Sequence, residues 1–189
     1  DRALSLDEVQ QLYQWGTRGE DLRERTTTKN KSNMVGWWKL NETNGSTAYD
    51  SSGNGYDASS FGAGPSDSGT SDSPISQSAY NFDGDDYVKS EDTFYPLADN
   101  TISLSAWVKF DTLGFEEWFS AFYVDGNNLF SLFKDSSDYP RCFIQGSGSN
   151  TEARSSMKVN KNEWYHIAGI GVGNVARIYV NGQNTKTAS

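Results

Sequence analysis

Few folds accommodate the stretch from Trp164 to Gly182, which reads as a β-hairpin running into a second turn. Val175, Arg177 and Tyr179 interleave with Ala176, Ile178 and Val180, the period of two that places successive side chains on opposite faces of a strand. Gly171-Val-Gly-Asn174 supplies the first reversal and Asn181-Gly182 the second, since Gly and Asn accept the positive φ that tight hairpins require. Strand, turn, strand, turn is the order of an antiparallel sheet.

Further strands are expected at Ala79–Phe82, Tyr87–Lys89, Ile102–Phe110, Trp118–Val124, Leu129–Phe133 and Arg141–Ile144, after a first short one within Val35–Leu40. Gly, Asn and Asp separate these runs and all four prolines fall outside them, as ladder hydrogen bonding demands. Residues 58–79, rich in Ser, Gly and Asp, read as a long loop. With 14% aromatic residues in 189, one ring-rich core is expected, built as a two-sheet sandwich or jelly roll.

The one convincing helix lies at the N-terminus. Ser5 and Glu8 form a capping box, Leu6, Val9, Leu12 and Tyr13 share a face, and Gly16 ends it; such a stripe reads as a helix docked on a sheet. Residues 17–34 mix both charge signs with almost no apolar content, which is linker composition. The sheet domain is expected over 35–189.

A net charge of −9 disfavours nucleic acid and anionic membranes as partners. No apolar run approaches the ~20 residues that cross a bilayer, so membrane insertion is not expected. The single cysteine, Cys142, excludes an internal disulfide and cysteine-based zinc sites; beside Phe143 and Ile144 it reads as a buried apolar residue. The single histidine, His166, lies within a strand and has no partner pattern for catalysis, so a buried imidazole is expected.

Four segments together resemble the laminin-G-like, concanavalin A-type lectin/glucanase domains of secreted bacterial and archaeal proteins. They are Val35-Gly-Trp-Trp-Lys-Leu-Asn-Glu42 with Ala48-Tyr-Asp-Ser-Ser-Gly-Asn-Gly55, Tyr80-Asn-Phe-Asp-Gly-Asp-Asp-Tyr-Val88, Thr101-Ile-Ser-Leu-Ser-Ala-Trp-Val108, and Asn162-Glu-Trp-Tyr-His-Ile-Ala168 with Ile178-Tyr-Val-Asn-Gly182. The resemblance covers about 35–189 and implies an all-β, two-sheet antiparallel jelly-roll sandwich, with Trp38, Trp107 and Trp164 in core positions. In that family a segment similar to Asp1–Tyr13 closes the domain after its last strands, whereas here it comes first. Residues 1–16 are therefore expected to be the tail of a preceding repeat in a tandem array, or else neighbouring subunits complete one another, with 35–189 lacking its last strands.

Acidic residues gather in turns, and calcium takes several oxygen ligands from a loop that curls. Asp50-Ser-Ser-Gly-Asn54 suits that need, and the resemblance implies a structural calcium near such loops, with Asp50, Asn54 and Asp85 as candidate ligands. The competing reading is that Asp and Asn here bond their own backbone as turn formers. For a glycan or surface polysaccharide, whose rings stack on exposed aromatics, the candidates are Trp118, Tyr123 and Tyr139 in the least motif-like part of the chain. Glucanases of this fold array alternating carboxylates along one strand, and no such E-x-D-x-E pattern occurs; Glu116 and Glu117 are adjacent. The expected function is a noncatalytic extracellular or cell-surface module that binds carbohydrate or spaces an adhesin-like array. The alternatives are a structural subunit completed by neighbours, and a glycan-active enzyme.

Overall fold

The computed structural model describes residues 3–18, 34–62, 73–74, 79–90, 101–114, 117–125, 128–146 and 150–189. They fall into two units, Asp1–Gln14 with Tyr95–Ser189, and Trp15–Phe94.

The larger unit is the sandwich. Its strands are β4 Thr101–Lys109, β5 Glu117–Asp125, β6 Asn128–Lys134, β7 Pro140–Gln145, β8 Asn150–Arg154, β9 Trp164–Val172, β10 Val175–Val180 and β11 Gln183–Ala188. They form two four-stranded sheets of order β11-β10-β9-β4 and β5-β6-β7-β8, every pair antiparallel. Phe130, Leu132, Cys142 and Ala153 of one sheet meet Ile167, Ala176, Ile178 and Val180 of the other in a single buried core.

Strand β9 shows why this sequence makes a sandwich with a covered back. Tyr165 and Ile167 point between the sheets, while Ala168 and Ile170 point outward into a second buried cluster. At the inward positions 169 and 171 the chain places glycine. A Cβ on Gly169 would lie 2.4 Å from Leu132 Cδ2, and one on Gly171 2.9 Å from Phe130, so the bare backbone admits the facing sheet's large side chains.

Helix α1, Leu6–Thr17, covers the outward face. Ser5 caps it, with its hydroxyl accepting from Glu8 N–H while the Glu8 carboxylate accepts from Ser5 N–H. Val9 is wholly buried among Ala168, Ile170 and Tyr179, with Ala3 and Leu4 beside them. Tyr13 stacks on Trp107, and Leu4 N–H donates to Ser103 Oγ.

The smaller unit holds a three-stranded antiparallel sheet of order β1-β2-β3, with β1 Thr47–Ala48, β2 Ala58–Phe61 and β3 Tyr87–Lys89.

The expected all-β, two-sheet antiparallel sandwich with a short N-terminal helix is the observed architecture. Local differences have physical causes. The helix runs through Gly16 to Thr17. Gly171 belongs to β9, and the reversal is made at Gly173, which has φ +55, and Asn174. Residues 79–82 form no strand, and Val35–Leu40 contributes only the bridge between Trp38 and Asp50. The expected loop at 58–79 begins with β2, and β8 and β11 are strands without an apolar alternation to announce them. Pro140 opens β7, a position where a missing N–H is tolerated. Most of the expected linker lies outside the described residues.

Candidate functional site

The acidic turns take different fates. Asp50 is an organiser of its own loop. Its Oδ1 accepts from Trp37 N–H and Ser52 N–H, and its Oδ2 from Ser52 Oγ and Tyr56 N–H. A carboxylate offers about four lone-pair positions, so these donors use them all. Partial burial pushes its pKa up, but the hydrogen bonds from Ser52, Trp37 and Tyr56 outweigh that and hold it below the usual carboxylate range. Asn54 turns its amide N–H groups to the carbonyls of Met34 and Val35. These are the bonds of a turn folded on its own backbone, and they engage both oxygens of Asp50.

Asp135 and Asp138, in the turn between β6 and β7, are ion-paired. Asp135 accepts from Arg141 Nε and Arg154 Nε as well as from the Ser137 and Tyr139 amides. Burial raises its pKa, but these partners prevail and hold it far below the ordinary range. Asp138 accepts from Gly114 N–H and from the wholly buried Lys134 Nζ at 3.1 Å. These pairs knit the turn to β7 and β8.

The third acidic turn is different. Asp83, Asp85 and Asp86, just before β3, bring carboxylate oxygens within 4.8 Å of one another, with Asp83 and Asp85 exposed. Asp83 N–H donates to Asp86 Oδ2, and Gly84, at φ +119, lets the turn close. Asp85 is thus brought together with two neighbours that sequence reasoning placed in the same turn, but not with Asp50 or Asn54. Three hard oxygen donors on a short turn are the right chemistry for a cation such as calcium.

An aromatic pair stands beside this turn. Phe61 and Tyr87 are register partners on β2 and β3, with ring centroids 4.7 Å apart and planes 21° apart. Phe61 is 45% exposed and Tyr87 49%, so the stacked pair keeps much of its surface in water. Asp86 precedes Tyr87, and its Oδ1 lies where a Cβ on Gly62, the residue after Phe61, would sit. A half-exposed ring pair against a group of carboxylates matches what a sugar presents, an apolar C–H face edged by hydroxyl donors. Sequence reasoning missed Phe61 and Tyr87 as a pair because 25 residues of chain separate them. The signal was cross-strand register, which single-sequence patterns do not reveal.

The aromatic candidates taken from the sequence do not converge. Trp118 and Tyr123 lie on the edge strand β5, opposite Phe133 and Leu129. Five positions of strand separate them, ~16 Å of backbone; their side chains lie outside what the structure describes. Tyr139 sits in the β6–β7 turn with the Arg154 guanidinium 3.7 Å above its ring, so that face is taken. Trp38, Trp107 and Trp164 are half-buried rather than sealed in the core. His166 and Cys142 are buried.

Comparison with known proteins follows the architecture. A structure of residues 221–444 of an S-layer domain-containing protein from Clostridium thermocellum is similar at 24% identity and a TM-score of 0.47, over 80% of this chain and 70% of that one. No curated protein matches the chain. Residues 82–189, which hold the acidic turn, Tyr87 and the whole described sandwich, match the laminin-G-like family model of the concanavalin A-like lectin/glucanases. With more than half of its length matched and the two-sheet antiparallel sandwich in place, the chain belongs to the concanavalin A-like lectin/glucanases superfamily.

Proposed function

We propose that this chain is a noncatalytic module that binds carbohydrate on the Phe61–Tyr87 platform, displayed outside the cell as part of a larger or repeated surface protein. The observation that carries the reading is the half-exposed stacked pair set against Asp83, Asp85 and Asp86. In this reading a pyranose lays its C–H face on the rings while its hydroxyls donate to the carboxylates, directly or through a calcium ion that the same three residues would hold.

An enzyme of this superfamily needs one carboxylic acid kept protonated by an apolar enclosure. Asp83 and Asp85 are exposed, which favours binding over hydrolysis.

A glycan array probed with the wild-type chain and with Tyr87→Ala and Phe61→Ala tests the proposal. Binding by the wild type, lost in both variants with melting nearly unchanged, is the expected result. Binding unaffected by either variant but abolished in Trp118→Ala would move the site to β5. No binding to any glycan would leave a structural module, and reducing ends released from mixed polysaccharides would mean an enzyme.

A further inference from the structure

The outer face of the β4–β9–β10 sheet is shaped as a socket for one particular helix. Ala168 leaves room for Val9, and Ile170 and Tyr179 wall it in. Trp107 offers a ring for Tyr13 to stack on, and Ser103 accepts the Leu4 amide. Gly182, at φ +74, lies under the helix: a Cβ there would come within 3.2 Å of Tyr13 and 3.5 Å of the Gln10 backbone.

The plug itself is weakly tied. Along the helix up to Gln14, Val9 is the one wholly buried side chain, and a helix of 12 residues has little stability alone in water. It meets its socket across 99 positions of sequence, with a separate compact unit, Trp15–Phe94, in between. So long a connection gives the plug only a modest effective concentration at its own socket. An emptied socket exposes Ala168, Ile170 and Tyr179, an apolar patch that demands a cover.

From these observations we infer that the helix is exchangeable: the Ala3–Gln14 plug of one copy seats in the β4–β9–β10 socket of another, linking copies of this chain head to tail. Such a trade makes no new kind of contact, which is why swapping an existing element is a low-cost route to assembly. Where copies of the chain are concentrated, a neighbour's plug competes with the chain's own. The inference does not rest on carbohydrate binding.

Two full-length chains test it, one carrying Leu4→Cys and the other Ser103→Cys. Both changes are mild, and the native Cys142 is buried with its thiol pushed up to about 12, so it stays out of the exchange. Mixed and oxidised with a different tag on each, the two chains are linked to one another in excess over like-with-like pairs only if one copy's plug sits on the other's sheet. The expected result is a linked dimer whose yield rises with protein concentration and falls at least tenfold when Val9→Asp is added to the Leu4→Cys chain. No dimer, or a dimer indifferent to Val9→Asp, overturns the inference. Should either cysteine chain differ from wild type by circular dichroism, wild-type chains bearing two different tags give the same reading. Co-capture that disappears with Val9→Asp supports the exchange, and its absence at high concentration overturns it.

Discussion

Tyr13 and Trp107 stack with ring centroids 5.7 Å apart and planes 21° apart, joining the first helix of the chain to an edge strand of the sandwich. An aromatic pair of this kind contributes ~0.5–1.5 kcal/mol beyond the area it buries. Adding the area lost, Tyr13→Ala is expected to lower unfolding stability by about 2 kcal/mol, or to free the helix while the sandwich stays folded. Hydrogen exchange distinguishes the two: protection lost at Val9–Tyr13 alone means local release, and lost throughout means the helix is integral. Unchanged protection and stability would show that the stack contributes nothing.

His166 lies in the same interface, 5.4 Å from the Trp107 ring and 6.3 Å from that of Tyr13. Its Nδ1 has no hydrogen-bond partner among the described residues, and burial pushes its pKa down to about 4. An unfolded histidine titrates near 6.5, so between these values the unfolded chain binds the extra proton. Stability is therefore complete above about pH 6.5 and falls as the pH drops toward 4, by about 2 kcal/mol at pH 5. Asp135, Asp138 and Asp50 have lowered values, so their contributions persist at pH 5 and fade only at more acid pH. His166→Leu should flatten the profile between pH 7 and 5 without altering the steeper loss below it. Denaturant titration at each pH reads this directly, and a wild-type profile already flat above pH 5 would refute it.

Gly169 decides how closely the two sheets approach. In an ordinary strand Gly→Ala gains ~0.5–1 kcal/mol from the stiffer unfolded chain. Here the added methyl meets Leu132 Cδ2 at 2.4 Å and Cys142 Sγ at 2.9 Å, both wholly buried, so overpacking wins and a net loss of about 1–3 kcal/mol is expected. Leu132→Ala alone should cost about 2–5 kcal/mol. Combined with Gly169→Ala it should cost clearly less than the sum, because the new methyl fills part of the space vacated. Additive losses would place the strain elsewhere.

This glycine also marks the limit of what the sequence discloses. The alternation through β10 was plain, as were Cys142 and His166 as buried residues, because strand period and apolar context are local properties. That Gly169 and Gly171 are packing positions was not legible, since their meaning lies in Leu132 and Phe130 on the opposite sheet. β11, Gln183–Ala188, has no apolar alternation and is a strand because β10 pairs with it. The platform was hidden for the same reason. Phe61 closes a Ser-rich run that reads as loop, and only its pairing with Tyr87 makes a surface of the two rings. Asp, Ser and Asn serve ions and turns alike, so the sequence leaves both uses open at Asp50, and the donors that reach its oxygens are visible only in the folded loop.

Calcium separates those two uses of acidic residues. If Asp83, Asp85 and Asp86 hold the ion with the ~10⁻⁴–10⁻³ M affinity of extracellular modules, ~10 mM calcium adds about 1.5–3 kcal/mol. For a chain of this size that raises the melting midpoint by a few degrees. Asp85→Asn should abolish the increment and, with calcium absent, leave the protein no less stable, since it relieves repulsion among three carboxylates within 4.8 Å. Asp50→Ala should behave oppositely. Losing an acceptor that holds the Trp37, Ser52 and Tyr56 amides costs about 1–3 kcal/mol whether or not calcium is present. Melting in excess EDTA against excess calcium reads all three proteins. A wild-type midpoint that does not move removes the ion from the acidic turn, and a calcium increment lost in Asp50→Ala but kept in Asp85→Asn would return it to the loop at 50–54.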